Sequence, residues 1–97
     1  LLPFLSQEDY DKAVEFYDKA IEIYELCWNH ESYKKPRYTD ALDAIAIIYE
    51  IQNNYHDAIK TYNRLKECLI DEWGYNDDDY IVIEVNKKIQ NIQDKYL

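Results

Sequence analysis

Apolar side chains recur at every third or fourth position through residues 9–29, the spacing of one face of an α-helix. This main stripe consists of Tyr10, Ala13, Val14, Tyr17, Ala20, Ile21, Tyr24 and Trp28. A second, narrower stripe consists of Phe16, Ile23 and Cys27. A helix with two apolar stripes needs a neighbour on each of them. The pattern therefore predicts a helix that packs between two others.

Three further helices are predicted, at about 41–53, 55–73 and 79–96. The 41–53 segment is apolar nearly all round, so we expect it at the centre of a stack. The last segment has one apolar side and one charged side, which is typical of a capping helix that ends a stack.

The segment between the first two helices contains Pro36 and predicts a break over residues 30–38. After this break, Thr39 or Asp40 is expected to cap the second helix, because both side chains can accept a hydrogen bond from a free backbone N–H. The cluster Lys34-Lys35-x-Arg37 lies in the same predicted loop and is interpreted as solvated.

The later helix ends carry their own signals. Asn53-Asn54 predicts a tight turn after the second helix, since Asn tolerates the left-handed backbone conformation. Gly74 fits the position that terminates the third helix. The run Asn76–Asp79 is expected to cap the fourth.

The first helix returns forty-five residues later in the sequence. Tyr10-x-x-Ala13-x-x-x-Tyr17 matches Tyr55-x-x-Ala58-x-x-x-Tyr62, and Gln7, Glu22 and Trp28 match Gln52, Glu67 and Trp73. A repeated helix with repeated aromatic and small residues indicates a helical solenoid, and solenoids mostly bind other proteins. Residues 1–7 align with 46–52, which makes them the expected last turn of a helix that begins upstream. We therefore expect further repeats before this segment, or another copy of the chain over an N-terminal face formed by Leu1, Leu2 and Phe4.

The run Leu42-x-x-Ile45-Ala46-x-x-Tyr49, followed by the Tyr55–Tyr62 motif, resembles the tetratricopeptide repeat over roughly residues 1–73. The resemblance implies an all-α fold of antiparallel helical hairpins, a fragment of a right-handed superhelix. Its expected parts are residues 1–29 (the end of helix A and helix B of a first repeat), 39–73 (a second repeat) and 79–97 (the capping helix), in one domain spanning 1–97.

The chain departs from the family pattern in three ways. Its period is 45 rather than about 34 residues, Ala46 replaces the usual glycine of helix A, and Leu65 replaces a small residue of helix B. The long period resembles the extended repeats of kinesin-light-chain-type proteins. HEAT repeats share this period but not the paired Tyr-x-x-Ala pattern.

Composition narrows the classes of partner. The net charge of −9 repels phosphate backbones, so nucleic acid is not an expected partner. No apolar run approaches the ~20 residues that span a bilayer, and there is no secretory signal. Two cysteines are too few for a disulfide framework and suit a reducing compartment, so we expect a cytoplasmic protein.

The sequence offers no catalytic constellation, metal site or cofactor motif. A single glycine excludes a glycine-rich phosphate loop. Cys27-x-x-His30 could supply two zinc ligands, but structural zinc needs four, and His56 and Cys68 would have to converge with them. The acidic run before the last helix lacks the glycine and the glutamate of a calcium loop. We therefore expect neither an enzyme nor a cofactor.

The leading functional expectation is a protein-interaction or peptide-binding scaffold. The resemblance places its concave groove on helix A, where four side chains would line it: Asp40, Asp43, Ile47 and Glu50. Acids in place of the family's Lys, Arg and Asn argue against a clamp for a peptide carboxylate. Together with Glu15, Asp18 and Glu22 of the adjoining helices, they predict a basic, partly apolar peptide or helix as partner. Two alternatives stay open, the peptide-sensing or effector half of a bacterial-type regulator and a self-associating structural module.

Overall fold

The structure is a computed structural model that describes residues 6–26 and 35–97, with the side chains of 6–25 and 38–97. Within these ranges it consists of α1 (Gln7–Leu26), α2 (Lys35–Ile51), α3 (Tyr55–Asp71) and α4 (Tyr80–Tyr96), without strands. Each helix packs against the next one along the chain. The expected all-α helical-repeat fold is confirmed.

Contacts between helix ends show that neighbouring helices run antiparallel. The Gln52 side-chain amide, just after α2, donates to the Asp11 carboxylate near the start of α1, with 2.8 Å between Nε2 and Oδ1. Tyr55, the first residue of α3, stacks on Tyr96, the last residue of α4, with ring centroids 4.0 Å apart. In both of these pairs, α1 with α2 and α3 with α4, the start of one helix therefore lies beside the end of the other.

Helix α2 supplies the centre of the core, as its apolar sequence predicts. Its buried residues are Tyr38, Ala41, Leu42, Ile45, Ala46 and Ile48. Ala46 has no exposed surface, and the small side chain lets adjacent helices approach closely. Ile51 is the exception, because it lies at the end of α2 and is exposed.

Two of the predicted helix starts are wrong. Helix α2 begins at Lys35, so Thr39 and Asp40 lie inside it rather than capping it. Pro36 is accommodated because the first turn of a helix has free N–H groups in any case, and proline removes one that needs no partner.

Helix α1 begins at Gln7 rather than at residue 9. The Ser6 hydroxyl accepts a hydrogen bond from the Asp9 N–H at 3.2 Å and donates to the Asp9 carboxylate at 2.9 Å. The carboxylate in turn accepts the Ser6 N–H at 3.3 Å, which completes a reciprocal capping pair. These hydrogen bonds from Ser6 lower the pKa of Asp9.

The predicted turns are confirmed at both ends of α3. Asn53 has φ 63°, and the N–H groups of Asn53 and Asn54 donate to the Glu50 and Tyr49 carbonyls, a Schellman ending of α2. Gly74, after α3, has φ 75°. Asp79 directly precedes α4, although its carboxylate accepts a hydrogen bond from the Asn76 N–H rather than from α4.

The second stripe of α1 is open in the described structure. Phe16 and Ile23 are exposed, while Tyr10 and Ile21 of the main stripe are buried. In the described residues α2 is the helix that packs extensively on α1, so one of the two predicted neighbours is present there. The predictions that concern Leu1, Leu2, Phe4, Cys27 and Trp28 lie outside the described residues.

Candidate partner-binding groove

The four predicted groove residues share one side of α2, because their spacings of three and four return to the same helical face. Asp40 and Asp43 line a shallow groove of about 200 Å³ between α2 and α4, which we call the α2–α4 groove. Ile47 and Glu50 lie one and two turns further along α2, and both are half-buried. The other lining residues are Thr39, Leu65, Leu69, Ile81, Glu84, Val85 and Lys88.

The groove has an apolar floor and charged walls. Leu65 and Leu69 of α3 are buried beneath it, and Ile81 of α4 is exposed at its edge. Asp40 is exposed on the α2 wall, and Glu84 stands on the α4 wall. An apolar floor with a few charged groups around it is an arrangement that can orient a peptide side chain.

One basic residue, Lys88, changes the charge of this groove. Its ammonium lies 3.1 Å from the Asp43 carboxylate and 5.5 Å from the centroid of the Tyr62 ring. From the sequence, the last helix has a charged side separate from its apolar side, and Lys88 is one of the charged residues. A signal was present, however, because Lys88 is three residues after Val85 and four before Ile92, at the edge of the buried stripe.

Glu50 is held by a buried partner. Tyr62 of α3 has no exposed surface, and its hydroxyl donates to the Glu50 carboxylate at 2.5 Å. Burial, and then this hydrogen bond and the negative charge of Glu50, raise the pKa of Tyr62 far above its usual value. Tyr62 therefore stays protonated as a donor. Glu50 is half-buried at the surface, and its carboxylate is hydrogen-bonded to a side chain of the core.

The acidic residues of α1 are not all neighbours of the groove. Asp18 lines a separate cleft with Leu42, Ile45 and Tyr49, which lie on the other side of α2 from Asp43. Burial raises the pKa of Asp18, against the charge of Arg64, which lowers it. Asp18 therefore does not line the α2–α4 groove, and its contribution to an acidic field around that groove stays a prediction.

A network that sequence reasoning missed joins three helices around Glu25 of α1. Its carboxylate accepts hydrogen bonds from the Tyr38 hydroxyl of α2 at 3.0 Å and from the Arg64 guanidinium of α3 at 2.7 Å. Burial is the largest cause that raises the pKa of Tyr38, so its hydroxyl remains a donor. Periodicity assigns Glu25 to a solvated face, and only the relative placement of three helices reveals the contact.

Residues 6–26 and 35–97 bring together no group of three or more His, Cys, Asp or Glu side chains suited to a metal ion. Cys27 and His30 lie outside these ranges. No helix in the described part of the chain is long and apolar enough to cross a membrane.

Comparison with known proteins supports the resemblance at α1. The family model described as tetratricopeptide repeat matches residues 4–25. No curated protein and no solved structure gives a significant match to the chain. The matched segment contains the Tyr10–Tyr17 motif, and α1 packs antiparallel to its neighbour in a stack of consecutive helices. A matched repeat carried on such a stack fits a member of the tetratricopeptide repeat family.

Proposed function

We propose that this protein is an interaction scaffold whose α2–α4 groove binds a basic, partly apolar peptide or helix. The observation that supports the proposal most is the position of Asp40 and Asp43 above the buried Leu65 and Leu69. A cationic side chain would pair with the carboxylates while an adjacent apolar side chain covers the floor and Ile81.

The Lys88–Asp43 ion pair limits how strongly a cationic side chain of the peptide can bind Asp43. An incoming Lys or Arg must compete with Lys88 for the Asp43 carboxylate, whereas Asp40 is exposed and offers a carboxylate at the same wall. Exposed ion pairs contribute only about 0–1 kcal/mol each. Apolar contact with the floor must therefore supply most of the affinity, and charge supplies selectivity.

The proposal is tested by measuring fluorescence anisotropy with two labelled peptides of equal length and equal leucine content, one rich in Lys and Arg and the other in Asp and Glu. We expect the basic peptide to bind more tightly and to weaken as salt rises from about 0.05 to about 0.5 M, because salt screens exposed charges. Equal affinity for the two peptides, or no weakening with salt, would retire the proposal.

Three variants test whether the peptide binds in the α2–α4 groove. Asp40→Asn should weaken the basic peptide up to about fivefold, the upper range for an exposed pair. Asp77→Asn removes the same charge from the exposed turn before α4 and should have no comparable effect. Lys88→Gln should tighten binding because it frees the Asp43 carboxylate. If Asp77→Asn weakens binding as much as Asp40→Asn, the partner responds to net charge rather than to the groove.

A further inference from the structure

A second cleft lies between α1 and α3, over the side of α2 that faces away from Asp43. We call it the α1–α3 cleft, and its volume is about 180 Å³. Leu42 and Ile45 form its floor and belong to the buried core. Its walls are polar and consist of Asp18 of α1, Tyr49 of α2, and Asp57, Lys60, Thr61 and Arg64 of α3. An apolar floor below several polar groups can hold a small ligand in one orientation.

Most of the polar groups in these walls are uncommitted. Within the described structure, the carboxylates of Asp18 and Asp57 and the ammonium of Lys60 form neither hydrogen bonds nor ion pairs. The same holds for the hydroxyl of Tyr49, which is half-buried. These four groups can therefore exchange bound water for a ligand without breaking a contact of the fold.

The acidic groups of the cleft act on one hydroxyl. Burial, and then the negative charges of Asp18 and Asp57, raise the pKa of Tyr49. Both carboxylates therefore lie near the Tyr49 oxygen. A protonated amine entering here could pair with the carboxylates and donate to the phenol oxygen.

The same cleft also carries positive charge. Lys60 and Arg64 are four residues apart on α3 and share one side of it. Arg64 already donates to the Glu25 carboxylate at 2.7 Å, so Lys60 is the cation that remains available to an anionic group. A ligand with only a positive charge would be repelled by the two cations, and a ligand with only a negative charge by the two carboxylates. The cleft therefore favours a ligand that carries both charges.

We propose that the α1–α3 cleft binds a free amino acid with an apolar side chain of about the size of leucine. Its ammonium pairs with the carboxylates of Asp18 and Asp57, and its carboxylate pairs with Lys60. Its side chain covers the floor formed by Leu42 and Ile45. The cleft is smaller than the ~300–1,000 Å³ of pockets for drug-sized ligands, which suits a ligand of this size. It shares no residue with the α2–α4 groove, so the proposal does not depend on the proposed function.

The proposal is tested by titrating leucine into the isotope-labelled intact chain and following its backbone amides by nuclear magnetic resonance. We expect saturable shifts near Asp18, Tyr49 and Lys60. A dissociation constant of about 1 mM is expected, which is ordinary for a ligand of this size.

Three analogues of leucine test the contribution of each part of the ligand. Leucinamide lacks the carboxylate and isocaproate lacks the amine, so each should bind up to about fivefold more weakly than leucine. Glycine keeps both charges but lacks the apolar side chain, and it should bind about tenfold more weakly.

Variants then connect each part of the ligand to a residue. Lys60→Gln should weaken leucine about two- to fivefold and leave leucinamide unchanged, because leucinamide has no carboxylate to lose. Asp18→Asn should weaken leucine and leucinamide but not isocaproate. Lys87→Gln on α4 and Asp77→Asn before α4 remove the same charges from exposed positions elsewhere, and they are the matched controls.

Several results would overturn this proposal. Leucine could cause no saturable shifts, or shifts confined to residues far from the cleft. Lys60→Gln could weaken leucine and leucinamide equally, or the controls could weaken leucine as much as the cleft variants do. Asp40→Asn should leave leucine binding unchanged, so the cleft and the α2–α4 groove can fail separately.

Discussion

Helices α1 and α3 carry the same Tyr-x-x-Ala-x-x-x-Tyr pattern, yet they occupy different environments. Tyr62 and Ala58 of α3 have no exposed surface, whereas Tyr17 and Ala13, their counterparts in α1, are partly exposed. The difference arises because α3 is packed between α2 and α4, while α1 packs mainly on α2 in the described structure. A repeated sequence therefore encodes the side chains of an interface, and the energetic value of each side chain depends on the neighbour that covers it.

The largest expected effect comes from the tyrosine that closes the repeat motif. Tyr62→Ala should reduce the free energy of unfolding by about 3–5 kcal/mol, because it opens a cavity in the core and leaves Glu50 without its donor. Tyr17→Ala, its counterpart in α1, should cost about 1–2 kcal/mol, because less of the side chain is buried. Urea unfolding followed by circular dichroism measures both values, and equal losses would contradict the different burial of the two helices.

The next comparison concerns the alanines of the motif, where the substitution adds side-chain volume instead of removing it. Ala58→Leu should cost about 1–3 kcal/mol, since the added carbons have no space between α2 and α3. Ala13→Leu should change stability by less than about 0.5 kcal/mol, because the larger side chain can extend along the open side of α1, where Phe16 and Ile23 are exposed. Thermal melts of the two variants test this difference, and a large loss for Ala13→Leu would show that this side of α1 is already covered.

The fold was largely predictable because it depends on local spacing. Helical periodicity gave the four helices and the burial of Ala46, and the left-handed preference of Asn and Gly gave the turns at Asn53 and Gly74. The start of α2 was missed because Pro36 reads as a break, although the first helical turn tolerates it. Two ion pairs were not predicted, Lys88–Asp43 and Arg64–Glu25. Each joins residues on different helices, and the periodicity of a single helix does not reveal how two helices are placed relative to each other.

The N-termini of α1 and α3 differ in their capping hydrogen bonds. Ser6 forms a reciprocal hydrogen-bonded pair with Asp9, whereas Asn54 before α3 makes no side-chain capping hydrogen bond. Ser6→Ala should therefore cost about 1 kcal/mol, and Asn54→Ala should cost less. Chemical denaturation at neutral pH compares the two variants. A larger loss for Asn54→Ala would contradict the difference in caps.

The same cap predicts a pH dependence. Hydrogen bonds from Ser6 lower the pKa of Asp9 in the folded state. As the pH falls, the Asp9 carboxylate is therefore protonated in the unfolded chain before it is protonated in the folded one. The contribution of the cap is present above the ordinary aspartate pKa of about 4 and disappears as the pH falls through the lowered value. Ser6→Ala should flatten this acid limb of the stability curve, while Asn54→Ala should leave its shape unchanged.

The smallest expected effect concerns Phe16 on the open side of α1, and it tests the comparison most directly. Phe16→Ser should change the free energy of unfolding by no more than about 0.5 kcal/mol, because an exposed side chain has little packing to lose. Its counterpart in α3 is Thr61, whose hydroxyl donates to the Asp57 carbonyl at 2.8 Å beside α2. Thr61→Phe should destabilise the chain by about 1–3 kcal/mol, since the ring must enter the occupied α2–α3 interface. If instead Phe16→Ser lowers the melting temperature as much as Thr61→Phe does, Phe16 is buried in solution, and the helix that covers it is already present.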